Sequence, residues 1–290
     1  MSRVSHPQQI DRQSRASSYG REARSLGKAV LSKHGSKDTE LRKVGLIGGM
    51  SWVSTSLYYK WINKGVTARV GPMASAPLLI ESLNFAELYG LTKDDEWDRA
   101  ADILVASARR LEQAGAGAIA IAANSMHRVY DQVAEAVDVP VLHIADAVGQ
   151  KMKAESVSNA ALIGTRNVMI ESFYRKHLVS HGIDLLPPDM THVDRTNEII
   201  YDELMHGKAS RNAERFFRTM ITNLEQDGAK AIVLACTELD MVIDVDANVL
   251  PIFDSARIHS NAVVDWMLGE DGGAPAGSTD SESADDKPAS

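Results

Sequence analysis

The sequence predicts an α/β protein of two pseudo-symmetric lobes, each a parallel sheet flanked by helices, with a ligand cleft between them. Three observations carry that expectation. Short, continuous apolar runs alternate with longer amphipathic segments, which is the pattern of strands covered on both faces by helices. The chain also repeats itself: Leu111-Glu112-Gln113 recurs as Leu224-Glu225-Gln226, and the same offset carries Gly115 onto Gly228 and Ala123 onto Cys236 without a gap. Finally, the expected strand ends are punctuated by glycine and small polar residues, where parallel α/β sheets bind ligands.

The elements follow in order. "KVGLIGG" (Lys43–Gly49) reads as a buried strand entering a glycine turn, and "APLLIESL" (Ala76–Leu83) as a second strand. A helix follows with apolar residues at Ala101, Leu104, Ala108 and Leu111, stopped by Gly115. "AIAIAA" (Ala118–Ala123) and "VPVLHI" (Val139–Ile144) are strands. The second half repeats this order: a strand at Asn159–Thr165, a helix from about Asn212 to Gly228, and strands at Lys230–Cys236 and Val249–Phe253. Pro140 corresponds to Pro251, and Asp146 to Asp254. The domains expected are a first lobe over 42–150, to which the C-terminal helix is a candidate to return, and a second lobe over 151–268. Residues 1–41, polar and rich in Ser, Arg, Lys and Gln, read as a disordered arm without the apolar core of a secretory signal. Residues 269–290 read as a disordered acidic tail.

Bulk properties narrow the function. A net charge of −8 and the lack of a basic stripe disfavour nucleic acid and anionic membrane as partners. No apolar run approaches the roughly 20 residues of a membrane span. A single cysteine allows no internal disulfide, which fits a reducing, cytoplasmic compartment. With no cysteine cluster and scattered histidines, no metal site is expected. Gly45, Gly48 and Gly49 lack the dinucleotide-loop spacing, so they read as a tight strand-to-helix turn.

Under the expected symmetry, Ala123 and Cys236 face each other across the cleft. A cysteine at a strand end before a helix is expected to have a lowered pKa, because helix N–H groups favour the thiolate. Taken alone, Cys236 could equally be a buried small hydrophobe. Asn124, Ser125 and Thr237 would supply neutral donors beside it, and backbone amides at the turns can hold a carboxylate. A small carboxylic acid so held, with a thiol beside one carbon, is arranged for proton transfer. Two such groups on opposite faces would invert a stereocentre.

"GLIGGMSWVST", "NSMH", "GTRNVM", "CTE" and "PIFDSARIH", in that order, resemble the signatures of the aspartate/glutamate racemase family over about Lys43 to Leu268. The resemblance implies a cofactor-independent amino-acid racemase working without pyridoxal phosphate, a small amino-acid or dicarboxylate substrate, and a homodimer. It implies that Cys236 is one acid/base. It implies that Asn124, Ser125 and Thr237 hold the substrate carboxylate, and that Met50, Ser51 and Thr165 line the pocket. Arg195 falls where relatives place a basic residue against a carboxylate; its plainer reading is a surface ion pair. Glu238 either orients Cys236 or begins the next helix, and His127 either touches substrate or caps the core.

Ala123 departs from the pattern, which expects cysteine or threonine there. Alanine neither donates nor accepts a proton. Three readings stay open: an altered or impaired racemase, a water or Ser125 replacing the lost group, or chemistry needing one protonating face. The last resembles the single-cysteine decarboxylases of the same superfamily, which act on malonates. A carboxylate-binding protein that has lost turnover is also compatible.

Overall fold

Val44–Gly48 (β1) is buried along its whole length, as a strand between two helical layers must be. The computed structural model describes residues 40–93, 96–245 and 248–270; the arm expected over 1–41 and the tail expected over 269–290 lie almost wholly outside these. After β1 come α1 (Trp52–Val70), β2 (Leu78–Ser82), α2 (Phe85–Lys93), α3 (Trp97–Gln113) and β3 (Ala118–Ile121). A 3₁₀ turn (Ser125–Val129), α4 (Tyr130–Glu135), β4 (Val141–Leu142) and α5 (Ile144–Ala154) complete the first half. The second half runs β5 (Asn159–Gly164), α6 (Arg166–Ile170), α7 (Ser172–Ser180), β6 (Asp184–Leu185), α8 (Met190–Asp202), a 3₁₀ turn (Leu204–His206) and α9 (Arg211–Gln226). It closes with β7 (Ile232–Ala235), a 3₁₀ turn (Thr237–Met241), β8 (Ile252–Asp254) and α10 (Ser255–Leu268).

The halves form two four-stranded parallel sheets of identical order, β2-β1-β3-β4 and β6-β5-β7-β8. The repeat reaches individual hydrogen bonds. Pro140 O accepts from Ile119 N at 2.9 Å, and Pro251 O accepts from Ile232 N at 2.9 Å. A proline joins a ladder only as an acceptor, so β4 and β8 begin just after their prolines and are shorter than the apolar runs suggest.

Each half ends in a helix that packs on the other sheet. Ile144, Val148 and Met152 of α5 join a core with Leu162, Val233 and Phe253 of the second sheet. Val263, Val264 and Met267 of α10 join Leu46 and Ala120 of the first, together with Tyr58 of α1. Residue 150 therefore sits inside a helix whose apolar face belongs to the second sheet. Each such buried side chain contributes roughly 1.5–3 kcal/mol, so this exchange holds the lobes in fixed relation.

The turn after β1 shows why glycine stands there. Gly49 has φ +88°, and a Cβ on it would lie 2.1 Å from the Leu83 carbonyl oxygen. Its N–H donates to Thr55 Oγ1 at 2.8 Å, and Thr55 Oγ1 donates to Ser51 O at 2.9 Å. The turn is thus closed against α1 and presents Met50 and Ser51 at the end of β1.

Candidate active site

In each sheet the strand order reverses between two neighbours, β1 and β3 in the first, β5 and β7 in the second. The connections leave such a pair in opposite directions, opening a crevice beyond the carboxyl ends of the strands. The two crevices meet in one cavity of about 490 Å³. Met50, Ala123, Asn124 and Ser125 line it from the first lobe, and Thr165, Cys236, Thr237 and Glu238 from the second. Ala123 and Cys236 are the equivalent strand-end residues of the repeat, and both open onto this shared space.

Cys236 donates through Sγ to Glu238 Oε2 at 3.2 Å. The other carboxylate oxygen, Oε1, accepts from Ser51 Oγ at 2.9 Å and Ser54 Oγ at 3.1 Å. These serines belong to the start of α1, so the first lobe orients a second-lobe carboxylate against the second-lobe thiol. The thiol differs from the sequence expectation. Burial pushes its pKa well above the usual value, and the charge of Glu238 and the hydrogen bond to it push it further. The segment after Cys236 is a five-residue 3₁₀ turn carrying Glu238 and Asp240, not a long helix with an anion-favouring end. The resting group is a protonated thiol.

Neutral donors stand around it. Asn124 is buried, and its Oδ1 accepts from Ser255 Oγ at 2.9 Å, leaving the amide NH₂ to donate. Thr165 is 8% exposed on the cavity wall, and its buried hydroxyl has no partner among the described residues. A buried hydroxyl without a partner costs about 1–3 kcal/mol, a cost that a bound acceptor would remove.

A family model for Asp/Glu/hydantoin racemases matches residues 47–263. The chain belongs to this racemase family. Among curated proteins it is similar to the broad specificity amino-acid racemase RacX of Bacillus subtilis, 23% identical over 225 residues, covering 70% of this chain and 97% of that one. Among solved structures it is similar to a proposed Asp/Glu racemase from Yersinia pestis, at 38% identity and TM-score 0.75, covering 79% of this chain and 100% of that one. An aspartate racemase homologue from Pyrococcus horikoshii matches at 33% identity and TM-score 0.69, covering 78% and 99%.

In this racemase-family chain the rest of the cavity wall was not legible from motifs. Tyr89 and Tyr201, one from each lobe, meet with ring centroids 5.2 Å apart, and Trp97 also lines the cavity. Burial raises the Tyr201 hydroxyl's pKa, so it stays a donor. Among the described residues Arg166 is the one cation lining the cavity, ion-paired to Asp194; its backbone N–H donates to Asn197 Oδ1 at 3.0 Å.

Two sequence-expected residues do not line the cavity. Ser51 acts from behind, through Glu238. Arg195 is exposed and pairs with Glu198 at 2.9 Å, and it is Glu198 that reaches the wall. His127 is sealed in the core. Its Nδ1–H donates to Ala123 O at 2.9 Å, and its Nε2 accepts from Ile144 N at 3.2 Å. Burial lowers its pKa to about 3, so it is a neutral brace behind Ala123.

Histidines that look scattered along the chain gather in space. His127, His143 and His177 stand ring to ring, at 4.8 and 3.7 Å between centroids. His143, Asp146 and His177 bring donor atoms within 4.8 Å of one another. The His143 and His177 rings are stacked at 19° with centroids 3.7 Å apart, however, so their lone pairs lie in separate, nearly parallel planes, a poor arrangement for a common ion. His143 Nδ1 is already committed, accepting from Ala145 N at 3.1 Å. No helix among the described residues is long and apolar enough to cross a membrane.

Proposed function

We propose that this chain is an amino-acid racemase that works without pyridoxal phosphate, with Cys236 exchanging a proton at the α-carbon. The observation that carries the reading is the thiol of Cys236 opening onto the inter-lobe cavity while hydrogen-bonded to the oriented carboxylate of Glu238. The substrate carboxylate goes to Asn124, Ser125, Thr165 and Thr237, and Met50 walls the pocket. An arriving ammonium group favours the thiolate, because a nearby opposite charge stabilises the charged form, and the thiol's own proton leaves to solvent. The thiolate then takes the α-proton, leaving a planar carbanion. Returning that proton restores the same enantiomer; inversion needs a proton from the opposite face, where Ala123 offers only a methyl group. Exchange is therefore expected to outrun inversion.

The test is proton NMR in heavy water with L-aspartate, L-glutamate and L-alanine. Washout of the α-proton, faster than appearance of the D-form, is the expected result. An α-signal undiminished for every amino acid would remove the racemase reading.

Aspartate and glutamate are the substrates first expected, and Arg166 is the group proposed for the distal carboxylate. An arginine suits it through bidentate pairing. Arg166→Ala should raise KM for aspartate about 10- to 100-fold, the range set by hydrogen bonds to charged groups, and leave KM for alanine nearly unchanged. Arg195→Ala should change neither. Equal rises for both substrates in Arg166→Ala would move this arginine off the side-chain end of the site.

Ala123 specifically favours a second reading, protonation from one face only after loss of carbon dioxide from a disubstituted malonate. Carbon dioxide release without α-proton washout would select it. The assembly proposed is a homodimer. Trp52 and Tyr59 support it, since both stand exposed two turns apart on α1. A single-chain mass by light scattering would exclude it.

A further inference from the structure

The second lobe holds another cavity, of about 210 Å³, which shares no lining residue with the larger one. Its apolar wall includes Leu162, Met220 and Leu224, and one side is Arg175 of α7. Leu162 and Met220 are nearly fully buried, so the floor is a packed surface and not a groove between mobile side chains.

Arg175 is poorly satisfied. Its Nη2 donates to Leu185 O at 3.4 Å and Leu186 O at 3.3 Å, both long. It has no ion-pair partner among the described residues, although a guanidinium carries five N–H donors. Half-buried, its charge is disfavoured by desolvation. A guanidinium so placed is best completed by a carboxylate taken in two parallel hydrogen bonds. Asp227, just past the end of α9, also lines the cavity and has no ion-pair partner among the described residues. The other lining carboxylate, Asp189, is engaged at both oxygens: Oδ1 accepts from Thr191 N at 2.8 Å, and Oδ2 faces His192 Nδ1, also on the cavity wall, at 3.6 Å.

A cation, an anion and an apolar wall in one small space match a zwitterion with a hydrocarbon side chain. The volume equals about seven waters at ~30 Å³ each, the scale of leucine and well below a nucleotide. We propose that this cavity is a second amino-acid site, separate from the catalytic one, which binds an apolar α-amino acid with its carboxylate on Arg175 and its ammonium group toward Asp227.

The test is calorimetric titration of the full chain with L-leucine, repeated in saturating L-aspartate to occupy the larger cavity. Binding should persist in aspartate and weaken ~10-fold or more in Arg175→Met, as expected for loss of a charged hydrogen-bonding partner. Leu224→Trp, which fills the cavity while leaving Arg175 in place, should weaken it equally and covers the case of Arg175→Met failing to fold. Displacement of leucine by aspartate, full binding in Leu224→Trp, or no binding at all would overturn the proposal. Equal binding of 4-methylpentanoate, which lacks the amino group, would overturn the amino-acid assignment.

Discussion

Cys236→Ser should lower the rate of α-proton washout by ~10²–10⁴-fold, the usual worth of a positioned general acid or base, while the protein melts normally. The substitution keeps the size of the side chain and its bond to Glu238 Oε2 but replaces a thiol with a far weaker acid. The pH profile gives an independent check. Burial first, then Glu238, hold the thiol's pKa above its usual range, so the thiol is protonated through neutral pH. Proton removal by Cys236 requires the thiolate, whose fraction grows about tenfold per pH unit below the pKa. Washout should therefore accelerate as pH rises. Glu238→Gln removes a neighbouring negative charge, so the thiol's pKa falls and the rising limb moves to lower pH. An unchanged rate in Cys236→Ser, or a limb that moves to higher pH in Glu238→Gln, would take this cysteine out of the mechanism.

Ala123→Cys should raise racemisation by ~10²–10⁴-fold, by placing an acid on the face that now lacks one. The backbone there is well held. Ala122 N donates to Ile47 O at 2.9 Å, and His127 donates to Ala123 O at 2.9 Å. A sulfur added at this position therefore projects into the cavity that Ala123 already lines, without moving the strand end. Washout should change less than inversion, because in the proposed mechanism Cys236 alone already removes the proton. The ratio of D-product formed to deuterium incorporated is the quantity to measure. If that ratio stays at the native value, residue 123 does not face the reacting carbon.

The comparison of sequence with structure separates two kinds of information. The strands were legible because each is a local apolar run, as at Val44–Gly48 and Asn159–Gly164. Their boundaries were less so, since Pro140 and Pro251 admit pairing only through their carbonyls. Arg195 and Arg166 illustrate the limit on site residues. The cavity side of α8 presents Asn197, Glu198, Tyr201 and Asp202, two adjacent pairs four residues apart on one face. Arg195 lies off that face, and a helix's phase toward a cavity is unknown until its packing is known.

By itself the sequence determined two α/β halves of like construction and the equivalence of position 123 with position 236. Apolar periodicity and a constant repeat offset are properties of residue order, and they survive without coordinates. Only the tertiary structure decided the state of the thiol. Ser51 and Ser54 orient Glu238 from 187 and 184 residues away along the chain. Contacts of about 3 Å between such distant residues depend on how two sheets and their exchanged helices settle against each other, and the spacing of residues along a chain does not encode that distance.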